Sequence, residues 1–112
     1  MKNAESYAKQ VFERIKSHYG LSKYYEYYPE LEFDNEVHWL AGEFRDDYCG
    51  IVMYPLSCVN EEEIVRTLVH EYQHYLQDQV LFEQYKDEYD YYDNPFEIEA
   101  YEIEERDYKL FL

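Results

Sequence analysis

Apolar residues recur at helical spacing at the head of the chain, where Ala4, Tyr7, Ala8, Val11, Phe12 and Ile15 share one side of residues 4–18 before Gly20. This predicts an amphipathic packing helix, with His18 in its last turn as a surface residue suited to the helix dipole. Lys23-Tyr24-Tyr25-Glu26-Tyr27-Tyr28-Pro29 reads as a loop or short extended piece that covers the core. Between residues 31 and 54 the pattern shortens into runs rich in Val, Ile, Phe, Trp and Tyr, broken by Asp34-Asn35, Gly42, Asp46-Asp47 and Gly50. Three short antiparallel strands are expected, over residues 31–33, 37–44 and 50–54, the last closed by Pro55. If the third strand is the sheet's edge, its free backbone groups are placed to pair with an extended peptide.

Helical periodicity returns after Asn60, which with Glu63 has capping-box spacing. Ile64, Val65, Leu68, Val69, Tyr72, Tyr75 and Leu76 form one apolar sector of a helix expected to end near residue 79 or shortly after. Residues 85–93 are acidic and aromatic without a helical stripe and read as a loop. Asn94-Pro95-Phe96-Glu97 supplies an N-cap, a proline at the first helical position and a glutamate at the third, so a last helix should run to about residue 108. The pattern is α+β: an N-terminal helix, a small three-stranded antiparallel sheet and two further helices, in one domain spanning residues 1–112.

Composition narrows the function. A net charge of −16 over 112 residues argues against direct nucleic-acid binding, which needs clustered Lys and Arg, and suits basic partners or substrates. With 46% hydrophobic and 21% aromatic residues the chain has enough apolar surface to fold. The start has no apolar leader and no run approaches a membrane span, which places the expected product in the cytoplasm, off the membrane. Cys49 and Cys58 lack metal-site or framework spacing and read as reduced thiols.

The chemistry lies in His70-Glu71-x-x-His74. On a helix the two imidazoles fall at i and i+4, on one face and away from the apolar sector, so both reach one ion. Zinc accepts such nitrogen donors, and Glu71 beside them is placed to take a proton from water that the ion activates. Glu97 and Glu99 both lie on the last helix and point about 200° apart. Glu97 reads as a capping-box residue.

This motif, followed by a helix beginning Asn-Pro-Phe-Glu-Ile-Glu-Ala-Tyr, resembles the gluzincin zinc metallopeptidases, particularly their smallest single-domain members, over residues 50–105. The resemblance implies a zincin-like domain that hydrolyses peptide or protein substrates. Zinc would be held by His70, His74 and a glutamate of the last helix, with Glu71 as general base. Glu97, three residues before the small Ala100, fits the family's ligand position better than Glu99. Tyr101 stands where an acidic or amide residue would normally hold the first histidine, which the resemblance ties to weakened turnover. Tyr101, Tyr92 and His38 are the candidates for stabilising the oxyanion. Two alternatives stay open. One is a zinc-holding domain without turnover, with Leu110-Phe111-Leu112 folded over the cleft. The other is an acidic protein that occupies a basic partner surface.

Overall fold

In the computed structural model, which describes residues 3–112, the order is α1 (Ala4–Tyr19), β1 (Glu30–Phe33), β2 (Gly42–Arg45), β3 (Gly50–Met53), α2 (Glu61–Leu76), α3 (Gln79–Glu88) and α4 (Pro95–Asp107). Short 3-10 helices occupy Pro55–Ser57, Tyr91–Asp93 and Tyr108–Phe111. Met1 and Lys2, which open the polar start, lie outside the described residues. Four α-helices and one three-stranded sheet among the described residues make the class α+β. Among the described residues no helix is long and apolar enough to cross a membrane.

The sheet is mixed, which corrects the expectation of three antiparallel strands. Its order is β1-β3-β2, with β2 antiparallel to β3 and β1 parallel to it, so that Leu31 and Phe44 both lie opposite Ile51. The cause is in the side chains. Gly-Ile-Val-Met of β3 is buried at every position, whereas Glu-Leu-Glu-Phe of β1 and Gly-Glu-Phe-Arg of β2 alternate toward solvent. A strand buried on both faces takes the centre, and the two alternating strands become its edges. The edge beside α2 is therefore β2, not the third strand.

The second strand in the chain, β2, is also shorter than expected, because residues 34–41 form a connection instead. The His38 ring turns back so that its Nδ1 accepts the Leu40 N–H at 3.0 Å, and it stacks on Tyr54 with ring centroids 3.9 Å apart. A side chain that satisfies a backbone donor in this way competes with strand pairing.

Helix α2 runs through the middle of the molecule between α1, α4 and the sheet. Its Ile64, Val65, Leu68, Val69, Tyr72 and Tyr75 are buried against Ala8, Val11, Phe12 and Ile15 of α1 and against Phe44, Ile51 and Met53. Each such large apolar side chain stabilises the fold by about 1.5–3 kcal/mol relative to exposure. The tyrosine-rich segment after α1 covers this core as expected: Tyr25 stacks on Tyr75 at 5.4 Å, and the Tyr75 hydroxyl donates to the Tyr27 carbonyl at 2.7 Å.

Helix α2 ends at Leu76, and α3 reaches into the stretch expected to be a loop. Asp78 starts the new helix by accepting the N–H groups of Val80 and Leu81 at 3.0 and 3.2 Å. Phe82 then packs on Phe44 and His74, and Tyr85 on Phe96. The C-terminal residues do not cover the cleft. Phe111 is buried against His18 and Tyr19 of α1, and its carbonyl accepts from Arg14 Nη2 at 2.9 Å.

Candidate metal centre

Two helices meet where the motif lies. Asn60 caps α2 by accepting the Glu63 N–H at 2.9 Å, which sets the phase that turns His70 and His74 toward α4. Asn94 caps α4 by accepting the Phe96 N–H at 2.9 Å, with Pro95 in its first turn. One turn further on, fully buried Ala100 leaves no side chain to hold the helices apart. Glu97 is thereby brought over both rings: its Oε1 lies 2.9 Å from His70 Nε2 and 3.0 Å from His74 Nε2.

The opposite nitrogens are occupied. His70 Nδ1 faces Glu104 Oε1 at 3.1 Å, and His74 Nδ1 faces Gln77 Oε1 at 2.7 Å. With a metal bound, these acceptors would keep the proton of each ring on Nδ1 and leave both Nε2 lone pairs to ligate beside Glu97; without one, the protonated His70 ring donates from both nitrogens. Each partner is fixed in turn. Glu104 Oε2 accepts from Arg66 Nη1 at 3.3 Å, and the Arg66 guanidinium also bonds Glu62 and Glu105 and lies 3.7 Å over the Tyr108 ring. Gln77 Nε2 donates to Glu99 Oε1 and to the Phe96 carbonyl, both at 3.0 Å. Glu99, the alternative third ligand, thus braces Gln77 and stays off the histidine pair.

The donor set could hold a metal ion. All three ligand atoms lie within 4.8 Å of one another, and the 2.9 and 3.0 Å separations are close to the roughly 3.3 Å between donors on a tetrahedral ion. Two imidazole nitrogens with one carboxylate oxygen are ligands zinc takes readily. The electrostatics also call for positive charge at this point. Burial lowers the His70 pKa, but the carboxylates of Glu104 and Glu97 outweigh it and push the ring up to about 10. Burial raises Glu97, yet hydrogen bonds from His70 and His74 hold it at about 2.

Glu71 faces a two-lobed cleft that the candidate ligands also line, His74 and Glu97 in one lobe and His70 in the other. A lobe of about 400 Å³ is walled by Phe44, Phe82 and Tyr89, and one of about 210 Å³ by Ala41, Thr67 and Tyr101. Leu40, Gly42, Glu71 and Tyr91 line both. Burial pushes the Glu71 carboxyl up to about 6. A larger surface hollow of about 570 Å³ beside the start of α1 contains none of these groups. Gly42 keeps the cleft narrow, because a Cβ there would lie 2.7 Å from Thr67 Cγ2 and 3.0 Å from the Val52 carbonyl. Its bare backbone lets the edge strand lie against α2.

Tyr101, which stands where the resemblance puts an acidic or amide partner for the first histidine, gives His70 no hydrogen bond. Its ring meets the His70 ring edge-on, with centroids 4.4 Å apart, and its hydroxyl pairs with that of Tyr91 at 2.9 Å. Glu104, one turn further along α4, supplies the carboxylate. Of the other candidates, Tyr92 is exposed and His38 is turned onto Tyr54, both outside the cleft lining. Cys49 and Cys58 are buried free thiols raised by burial to about 11.

Sequence reasoning missed Glu104, Gln77 and Tyr91. Glu104 had a usable signal, since seven residues is two helical turns and returns to the face of Glu97. Gln77 and Tyr91 had none, because both lie where the chain leaves helical periodicity. No family model, no curated protein and no solved structure matches the chain, so the functional reading rests on this geometry.

Proposed function

We propose that the protein is a zinc-dependent metallopeptidase of gluzincin type, with a zincin-like arrangement of edge strand, motif helix and glutamate helix. The observation that carries this reading is the convergence of His70 Nε2, His74 Nε2 and Glu97 Oε1 beside Glu71, with both Nδ1 atoms anchored outward. His70, His74 and Glu97 would hold the zinc, which would supply a Lewis acid to polarise a carbonyl and lower the pKa of water to about 7. Glu71 takes the proton from the attacking water and hands it to the leaving amine. The β2 edge, bordered by Leu40, Gly42 and Glu71, holds an extended peptide as an added strand across the two lobes. Tyr91, which lines both lobes beside Leu40 and Gly42, presents a phenol able to donate to the oxyanion.

A zinc-holding domain without turnover is the second reading. It drew on the tyrosine at position 101 and on a tail folded over the cleft. Glu104 now supplies the carboxylate, and the tail packs on α1. What favours it is the Tyr91–Tyr101 pair, which spans the smaller lobe. Glu71→Gln separates the readings. On the peptidase reading the variant keeps zinc and loses more than about 100-fold of a metal-dependent peptide hydrolysis seen in the wild type. A zinc-loaded wild type that cleaves no member of a mixed peptide library, or Glu71→Gln that cleaves as well as wild type, contradicts it.

A further inference from the structure

The connection between β1 and β2 leaves its apolar side chains outside the fold. Val37 is 88% exposed and Trp39, the chain's single tryptophan, 86%. The backbone between them is held firmly: the His38 ring stacks on buried Tyr54, and the His38 carbonyl accepts from Ser57 Oγ. That last bond fastens the connection to the 3-10 helix Pro55–Ser57, where Leu56 is 63% exposed and nearby Val59 is 81%. Four apolar side chains therefore project from two segments that are tied together. Exposed apolar side chains carried on two joined segments, with polar residues beside them, suit a contact surface better than an ordinary scatter of single exposed groups.

The charge around the patch identifies what fits it. From Tyr24 to Val65 the only Lys or Arg is Arg45, which is ion-paired with Glu43; Arg66, next in the chain, is paired with Glu62, Glu104 and Glu105, and Lys9, across the hollow beside Leu56, is accompanied there by Glu5. Asp34 and Glu36 precede Val37, and Glu61, Glu62 and Glu63 follow Val59. Such a rim repels nucleic acid and anionic lipid and attracts a cationic chain.

We propose that Val37, Trp39, Leu56 and Val59 form a docking face for a basic polypeptide, a segment of a partner protein whose aliphatic or aromatic side chains are flanked by Lys and Arg. The inference is independent of the metal centre. Leu40, adjacent to Trp39, lines both lobes of the cleft, so a chain docked here lies at the cleft's rim.

Trp39 makes the test direct, because its emission shifts to the blue when a partner covers it. The full chain is titrated with three synthetic peptides: one alternating Leu and Lys, one with Glu in place of Lys, and one with Ser in place of Leu. The proposal predicts a saturable blue shift with the Leu-Lys peptide alone, weakened by added salt. Val37→Ser with Leu56→Ser lowers that affinity by about tenfold or more while the far-ultraviolet circular dichroism stays unchanged. Both side chains are exposed, so the fold does not depend on them. Any of four results overturns the proposal: an equal shift with the Leu-Glu peptide, no shift with any peptide, wild-type affinity in the double variant, or a shift produced by raising the protein concentration alone, which would assign the face to a second copy.

Discussion

Glu104 faces Nδ1 of His70 across 3.1 Å from a position seven residues beyond Glu97, so one face of α4 reaches both nitrogens of the same ring. A carboxylate at that nitrogen fixes the tautomer and makes the other nitrogen a better donor. Replacing Glu104 with Ala should weaken zinc binding by about 10–100-fold without unfolding the chain. Competition with a chromophoric chelator measures this. Arg66→Met, which removes the group holding Glu104, should move affinity in the same direction by less, and unchanged affinity in both variants would show that the carboxylate contributes nothing.

The His70 ring also sets a pH dependence. Its pKa in the folded chain, about 10, lies above its ordinary 6.5. A raised pKa means that protonated His70 stabilises the metal-free fold fully below about pH 6.5, and that this contribution is lost as pH rises toward 10. Zinc must displace the same proton, so its apparent affinity should increase by up to about tenfold per pH unit across that window. Calorimetry of zinc binding at pH 7 in buffers of different ionisation enthalpy should register proton release. At the acid end, Glu97, held at about 2, keeps its contribution above its ordinary 4.5 and loses it as pH falls toward 2.

Gly42 sits where β2 crosses α2. A methyl group there meets Thr67 Cγ2 and a backbone carbonyl inside contact distance, and the carbonyl belongs to the central strand and cannot move aside cheaply. Gly42→Ala should destabilise the fold by about 1–3 kcal/mol, measured by urea denaturation, as expected for overpacking. Thr67→Ser, which removes Cγ2, should recover part of the loss in the double variant.

The site was more legible in the sequence than the sheet. His70, Glu71 and His74 are one helical turn of local pattern, whereas periodicity leaves Glu97 and Glu99 both open and only the family resemblance favours Glu97. Strand direction depends on which strand is buried on both faces, and Gly-Ile-Val-Met shows its central place only against the alternating β1 and β2. His38 looked like a strand residue because alternation is blind to a ring that accepts its own neighbour's N–H. The break after Leu76 was hidden because Asp78 reads equally as a helix surface residue and as a cap. That break is what frees Gln77 to reach His74.

Zinc content of the purified chain tests the central claim most directly, with wild type, Glu97→Ala and Glu99→Ala assayed side by side after saturation and removal of loose metal. The convergence of His70, His74 and Glu97 predicts one zinc per wild-type chain, retained though held less tightly in Glu99→Ala and lost in Glu97→Ala. A folded wild type that stays free of zinc under excess metal, or a Glu97→Ala variant that holds zinc as tightly as wild type, would contradict it.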